Sequence, residues 1–183
     1  MTTSRTALLD ACVLVPVPLA DTLLRLAAAG VFAPKWSREI LEEVSRTLLG
    51  KFGLTLAQVS RREAALQRHF ADAWVDGHQG LIPSMTNHDG DRHVLAAAVY
   101  SGAGIIVTAN LRHFPAGALA ASGVEARSPG ALLLDLYRDQ PQAVMACLID
   151  QAAVIGTSVA YVLDRLEVNA PELVAGLRQS RRF

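Results

Sequence analysis

A parallel β-sheet covered by helices on both faces, followed by an all-helical extension, is the fold class that the sequence predicts, and three observations carry it. Short apolar runs stop abruptly at polar residues, as in Leu8-Leu9 before Asp10 and Gly104-Ile105-Ile106-Val107 before Thr108-Ala109-Asn110, the pattern of strands buried on both faces. These runs alternate with segments of helical spacing over residues 6–126, which argues for an α/β/α arrangement. After Ser128-Pro129 only helical spacing remains. Residues 1–130 therefore form the expected sheet domain and residues 131–183 a helical extension.

Taken in order, Leu8 to Leu14 is a short apolar strand interrupted by Asp10, closed by Pro16 and Pro18. Leu19, Leu23, Leu24, Leu26 and Ala27 give a helix from Leu19 to Ala29, which Gly30 ends as a C′ residue. Val31 to Pro34 is extended. Ser37 is an N-cap for a helix from Arg38 to about Gly50, with Glu39 in its first turn. At about 100° per residue, Ile40, Leu41, Val44 and Leu48 form the core-facing stripe. Glu42 falls opposite that stripe and is solvated, whereas Glu43 lies at its edge, either a surface residue or one that reaches an adjoining crevice.

Thr55 to Ala71 is a further helix whose polar face of Arg61, Arg62, Glu63, Gln67 and Arg68 meets water, unless its arginines line a phosphate path. Ala73-Trp74-Val75 and Leu81-Ile82-Pro83 are short, and one of them supplies a strand. Asp91 to Tyr100 is a helix, Ile105 to Thr108 a strand, Pro115 to Ala121 a short helix and Val124 to Ala126 a last strand. Pro129, Pro141 and Pro171 each suit the start of a helix in the extension, which ends in the basic tail Arg178 to Phe183.

The composition limits what this architecture serves. With 183 residues, 51% hydrophobic and 19% charged, the chain has one full core and no disordered character. Two cysteines, Cys12 and Cys147, make no disulfide framework. The segment before Asp10 is too short for a signal peptide, and no apolar run has membrane-spanning length. A cytoplasmic protein is expected. A formal net charge of zero gives no sign of a nucleic-acid partner, and the preference for Arg over Lys reflects genome composition or phosphate contacts.

Four residues then stand out. Asp10 and Asn110 end strands on the same edge of the sheet, Asp91 begins a helix at that edge, and Glu43 projects from a helix border that can face it. Singly, each has a plain explanation; Asp10, for instance, would cap a turn. Together they form a cluster that needs protons or a cation between its members. Oxygen ligands without matched His or Cys favour Mg²⁺ or Mn²⁺ over zinc. The spacings of His88, His93 and His113 match no standard zinc set, and His93 is expected on the helix surface. Asp89 is either a further acid of the cluster or an N-cap for the helix that follows.

Leu9-Asp10-Ala11-Cys12-Val13-Leu14, Trp36-Ser37 with Ile40-Leu41-Glu42-Glu43, Asp91 to Ala98, and Ile106 to Pro115 occur in an order that resembles the PIN-domain ribonucleases, and in particular the VapC-like toxins of bacterial VapBC toxin–antitoxin pairs. The resemblance covers residues 6 to about 130. It implies a PIN-like three-layer α/β/α fold and a Mg²⁺- or Mn²⁺-dependent endoribonuclease, usually a homodimer, blocked by a cognate antitoxin. By position its acids are Asp10, Glu43 and Asp91, and Asn110 stands where many members have a fourth Asp. Thr108 and Asn110 support the metal site. Asp89 replaces a common Pro and restores some charge, and Ala20 replaces a common Arg. The other reading is a non-catalytic relative that keeps the fold to bind RNA or protein, for which Asn110 and the neutral net charge speak.

Overall fold

β1 (Arg5–Leu9) lies at the centre of the sheet, with Ala7, Leu8 and Leu9 wholly removed from solvent, as a strand covered on both faces requires. The structure, a computed structural model, describes residues 5–180; the last three residues of the basic tail lie outside them. The expected strand through Leu14 stops at Leu9. Its neighbour β4 (Ile105–Val107) ends opposite it, Leu9 pairing with Val107. Asp10 N–H makes the last ladder bond, to the Val107 carbonyl at 3.1 Å. With no further strand to pair, the chain turns into α1 (Ala11–Leu14), Val13 N–H donating to the Asp10 carbonyl.

α2 (Val17–Ala28) leads through Gly30, at a φ of 72° that favours glycine, into β2 (Phe32–Ser37). Ser37 Oγ accepts from Ile40 N–H at the start of α3 (Arg38–Gly50), whose buried residues are Ile40, Leu41, Val44 and Leu48. The 3.6-residue periodicity thus placed the helix face correctly: Glu42 is exposed and Glu43 half-buried. α4 (Leu56–His69) has a capping box between Thr55 and Gln58. Two members of its polar face are not solvated as expected, since Glu63 accepts from Ser45 Oγ and Arg62 reaches the Leu14 carbonyl at the end of α1.

β3 (Trp74–Val75) supplies the edge strand; Leu81-Ile82-Pro83 instead lies in a 3-10 turn. α5 (Arg92–Ser101) precedes β4, and α6 (Ala116–Leu119) precedes β5 (Glu125–Arg127). All pairings are parallel, in the order β3-β2-β1-β4-β5. The chain builds outward from β1 to β3 and then crosses back to β4 on the other side. The order therefore reverses between β1 and β4, which opens a crevice beyond their carboxyl ends.

The last third is helical: α7 (Pro129–Asp139), α8 (Pro141–Val154), α9 (Val159–Leu166) and α10 (Pro171–Gln179). Three of the four begin on the expected prolines, where the missing N–H would have no intrahelical partner. α8 packs on α2, and Leu132, Leu148, Leu163 and Leu173 join Leu8 and Leu95 in one buried cluster. Among the described residues no single helix is long and apolar enough to cross a membrane.

Candidate catalytic and metal site

Asp10 sits at the switch point itself, 3% exposed. Its side chain does not cap α1. Instead Oδ2 accepts the Thr108 hydroxyl from the end of β4 at 2.7 Å and the Cys12 thiol at 3.2 Å. Thr108, wholly buried, also accepts Asn110 N–H at 2.9 Å, so one hydroxyl ties Asp10 to the loop after β4. Cys12 Sγ in turn accepts Ala109 N–H at 3.2 Å. Burial, and then the charge of Asp10, push the Cys12 thiol up to about 12, so it stays protonated and acts as a donor. Asp10 Oδ1 has no partner among the described residues.

Asp91 repeats the pattern from the helix side. His113 Nδ1 lies 2.7 Å from its Oδ2. Because Arg112 Nε donates to His113 Nε2 at 3.3 Å, the network assigns the neutral ring's proton to Nδ1, which donates to Asp91. His88 Nδ1 is 3.3 Å from the same oxygen but already accepts Gly90 N–H. The rings of His88 and His113 stack with centroids 4.2 Å apart and planes 12° from parallel. Ligand atoms of His88, Asp91 and His113 lie within 4.8 Å of one another, yet the in-plane lone pairs of two nearly parallel imidazoles do not converge on one ion. The histidines serve here to hold the carboxylate. His88 N–H also donates to the His113 carbonyl at 3.1 Å, pinning the segment before α5 to the loop after β4.

Glu43 completes the group from α3. Burial first, then Asp10 and Asp91, raise its carboxyl above the ordinary value, against His93 and Arg46, which lower it. Glu43 on α3 therefore feels the charge of both Asp10, just after β1, and Asp91, just before α5. His93 is not on the surface as expected: its side chain is 13% exposed and Nε2 lies 3.3 Å from Glu43 Oε1, near enough to attract but out of line for a hydrogen bond. The reason is the register of α5, which turns His93 toward α3 while Val94 and Leu95 take the core.

Asn110 lies half-buried at the mouth of the crevice, its side chain without a partner among the described residues. Asp89 is not brought to the acids. Its side chain is 86% exposed and pairs with Arg92 Nη2 at 2.7 Å, and the capping bond belongs to His88. The backbone turn at Asp89–Asp91 aims consecutive acids differently, so that Asp89 faces water and Asp91 faces in. Sequence reasoning missed Cys12, His113 and His93 as partners of the acids. Each lies within two or three residues of a site residue, the one signal that pointed to them.

The oxygen donors of Asp10, Glu43 and Asp91 are of the chemical kind that hard divalent cations take. Asp10 and Asp91 each use Oδ2 for a fixed hydrogen bond and leave Oδ1 without a partner among the described residues, and burial, with the charges of these two acids added, raises the Glu43 carboxyl.

Comparison with known proteins identifies the family. A profile described as PIN domain matches residues 6–112, the span that supplies Asp10, Glu43, Asp91 and Asn110. A Mycobacterium tuberculosis protein named provisionally as ribonuclease VapC50 is 39% identical over 110 residues, which are 58% of this chain and 65% of that relative. The match thus spans somewhat less than two thirds of the relative's length. No solved structure gives a significant match. With the parallel sheet and its reversal at the acids, the profile places this chain in the PIN-domain family.

Proposed function

We propose that the chain is a metal-dependent endoribonuclease that hydrolyses phosphodiester bonds of RNA, and that it is the toxin of a toxin–antitoxin pair. The observation that carries the reading is that Asp10 and Asp91 lie near enough to Glu43 at the switch point to add to the rise of its carboxyl, which burial causes first. These three residues would hold Mg²⁺ or Mn²⁺, which in such sites neutralises phosphate charge and lowers the pKa of a water. Thr108 and Cys12 fix Asp10, and His113 fixes Asp91, so that both carboxylates enter the reaction already oriented. Asn110 contributes a neutral amide where a fourth carboxylate would add charge. Its carbonyl oxygen suits orienting a water rather than binding a second ion. Asp89 has no part in this chemistry.

Residues 1–130 act as the nuclease unit and residues 131–183 as its helical extension. The name of the M. tuberculosis relative supports the ribonuclease and toxin assignments. A cognate antitoxin as inhibitor, a homodimer as the working form and a cytoplasmic site of action complete the reading.

The test is cleavage of single-stranded RNA by the purified chain with Mn²⁺. Wild type should cut, EDTA should stop it, and Asp10→Asn should be inactive while remaining folded. An Asp10→Asn protein as active as wild type would rule the assignment out. RNA retention without any cutting would favour the binding-module alternative, for which the neutral Asn110 speaks.

A further inference from the structure

Beside the catalytic edge lies a cleft of about 210 Å³ whose two walls come from different parts of the chain. One wall includes Cys12, two residues after Asp10, and Ala109, which precedes Asn110. The other is the start of α10 and the loop before it, with Val168, Asn169, Pro171 and Glu172. The extension thus shares a cleft with Cys12 and Ala109, although it lies beyond the span that the family profile covers.

The chemistry of the walls limits what fits. No Lys or Arg is among the described residues that line the cleft, so nothing there neutralises a phosphate. Its one charged group, Glu172, would repel an anion, and Glu172 Oε1 is already held by the Ser128 hydroxyl. Val168 is a large apolar side chain left 83% exposed. Asn169 uses its backbone N–H, which donates to the Leu166 carbonyl at 3.0 Å, but its side-chain amide has no partner among the described residues. An apolar face beside a free amide suits a neutral planar group with donors and acceptors along its edge. Cys12, which lines the cleft, also donates its thiol to Asp10 at 3.2 Å, so one side chain separates the cleft from that acid. On the ribonuclease reading, a phosphate at Asp10 would have a neighbouring base within reach of this cleft.

We propose that the cleft is a subsite for one unpaired nucleobase next to the scissile phosphate, with Val168 packing on the base and Asn169 reading its edge. The inference rests on the ribonuclease reading and adds that the extension selects the substrate. Single-stranded bases are recognised in this way, by contact with a face and hydrogen bonds along an edge.

The experiment uses the full chain with Mn²⁺ and a pool of unstructured RNA oligonucleotides randomised around the cut, with cleaved ends mapped. Wild type should show a base preference at one position beside the cut, and Asn169→Ala should weaken that preference about tenfold. Val168→Ser should raise KM at the same position with kcat little changed. Both residues lie toward solvent, so folding is not at stake, and Mn²⁺ affinity should match wild type in both. A wild type without preference beside the cut, or an unchanged preference in Asn169→Ala, overturns the subsite. A wild type that cuts no RNA overturns the ribonuclease reading instead.

Discussion

Polar groups are buried in two regions of this molecule, and they are treated in opposite ways. Between α2 and the extension, Thr22 and Gln151 are both buried and fully answered. Thr22 Oγ1 lies 2.7 Å from Gln151 Oε1 and 2.9 Å from the Pro18 carbonyl, while Gln151 Nε2 donates to that carbonyl at 3.1 Å. At the crevice between β1 and β4, the polar groups are charged, of like sign and answered on one side only. Asp10 and Asp91 each keep an oxygen without a partner among the described residues, and Glu43 is raised by burial and then by both acids. A neutral, satisfied network holds helices in register. A like-charged cluster held by fixed donors costs stability, a cost that the proposed cation would offset.

The largest effect that would break this contrast is at Asp10. Asp10→Asn keeps the acceptor for Thr108 but removes the charge, and cleavage should fall on the order of 10³-fold without loss of folding, as urea unfolding would check. At the α2–α8 contact the consequences reverse. Gln151→Ala strips partners from Thr22 and Pro18 and opens space in the core, so stability should fall by about 2 kcal/mol. Activity per folded molecule should stay at the wild-type level. Loss of activity at fixed stability in Gln151→Ala would mean that the two regions are not separate.

Thr108 lies on the boundary, being buried and satisfied yet bonded to an acid of the cluster. Thr108→Val keeps its shape and removes the hydrogen bond to Asp10 Oδ2. The expected result is a weakening of Mn²⁺ affinity by about tenfold, read by titration. An unchanged affinity would mean that Asp10 is oriented by the backbone alone.

The two regions also differ in how far the sequence announced them. Periodicity along α3 separated Glu42 from Glu43 because a helix has one geometry and its apolar stripe fixes its rotation. The abrupt polar ends of β1 and β4 located Asp10 and Asn110 for the same kind of reason. The donors that hold the acids were not legible, since they depend on how distant loops meet. His113 reaches Asp91 only because the loop after β4 is pinned to the segment before α5. Asp89 and Asp91 look alike in the sequence and diverge through a single 3-10 turn. The Thr22–Gln151 pair lies 129 residues apart along the chain, and no local pattern marks it.

The smallest expected effect is also the most direct test of repulsion among the acids. The Glu43 carboxyl is raised by burial and by Asp10 and Asp91, so the folded chain binds that proton more tightly than the unfolded chain does. Below the unfolded value both states carry the proton, and the shift costs nothing. As pH climbs toward the folded value the unfolded chain releases its proton first, and folding loses stability that it does not regain at higher pH. Glu43→Gln removes this cost. Without divalent cations the variant should therefore be more stable than wild type at about pH 8, by only ~0.5 kcal/mol because the side chain is 36% exposed and screened by solvent, and the advantage should vanish near pH 3. Adding Mn²⁺ should turn the order around, since binding to the folded state stabilises wild type more than a variant short of one ligand. A metal-free wild type more stable than Glu43→Gln at neutral pH would show that His93 and Arg46 already balance the cluster. The crevice would then resemble the α2–α8 contact, a place where polar groups hold the fold and await no ligand.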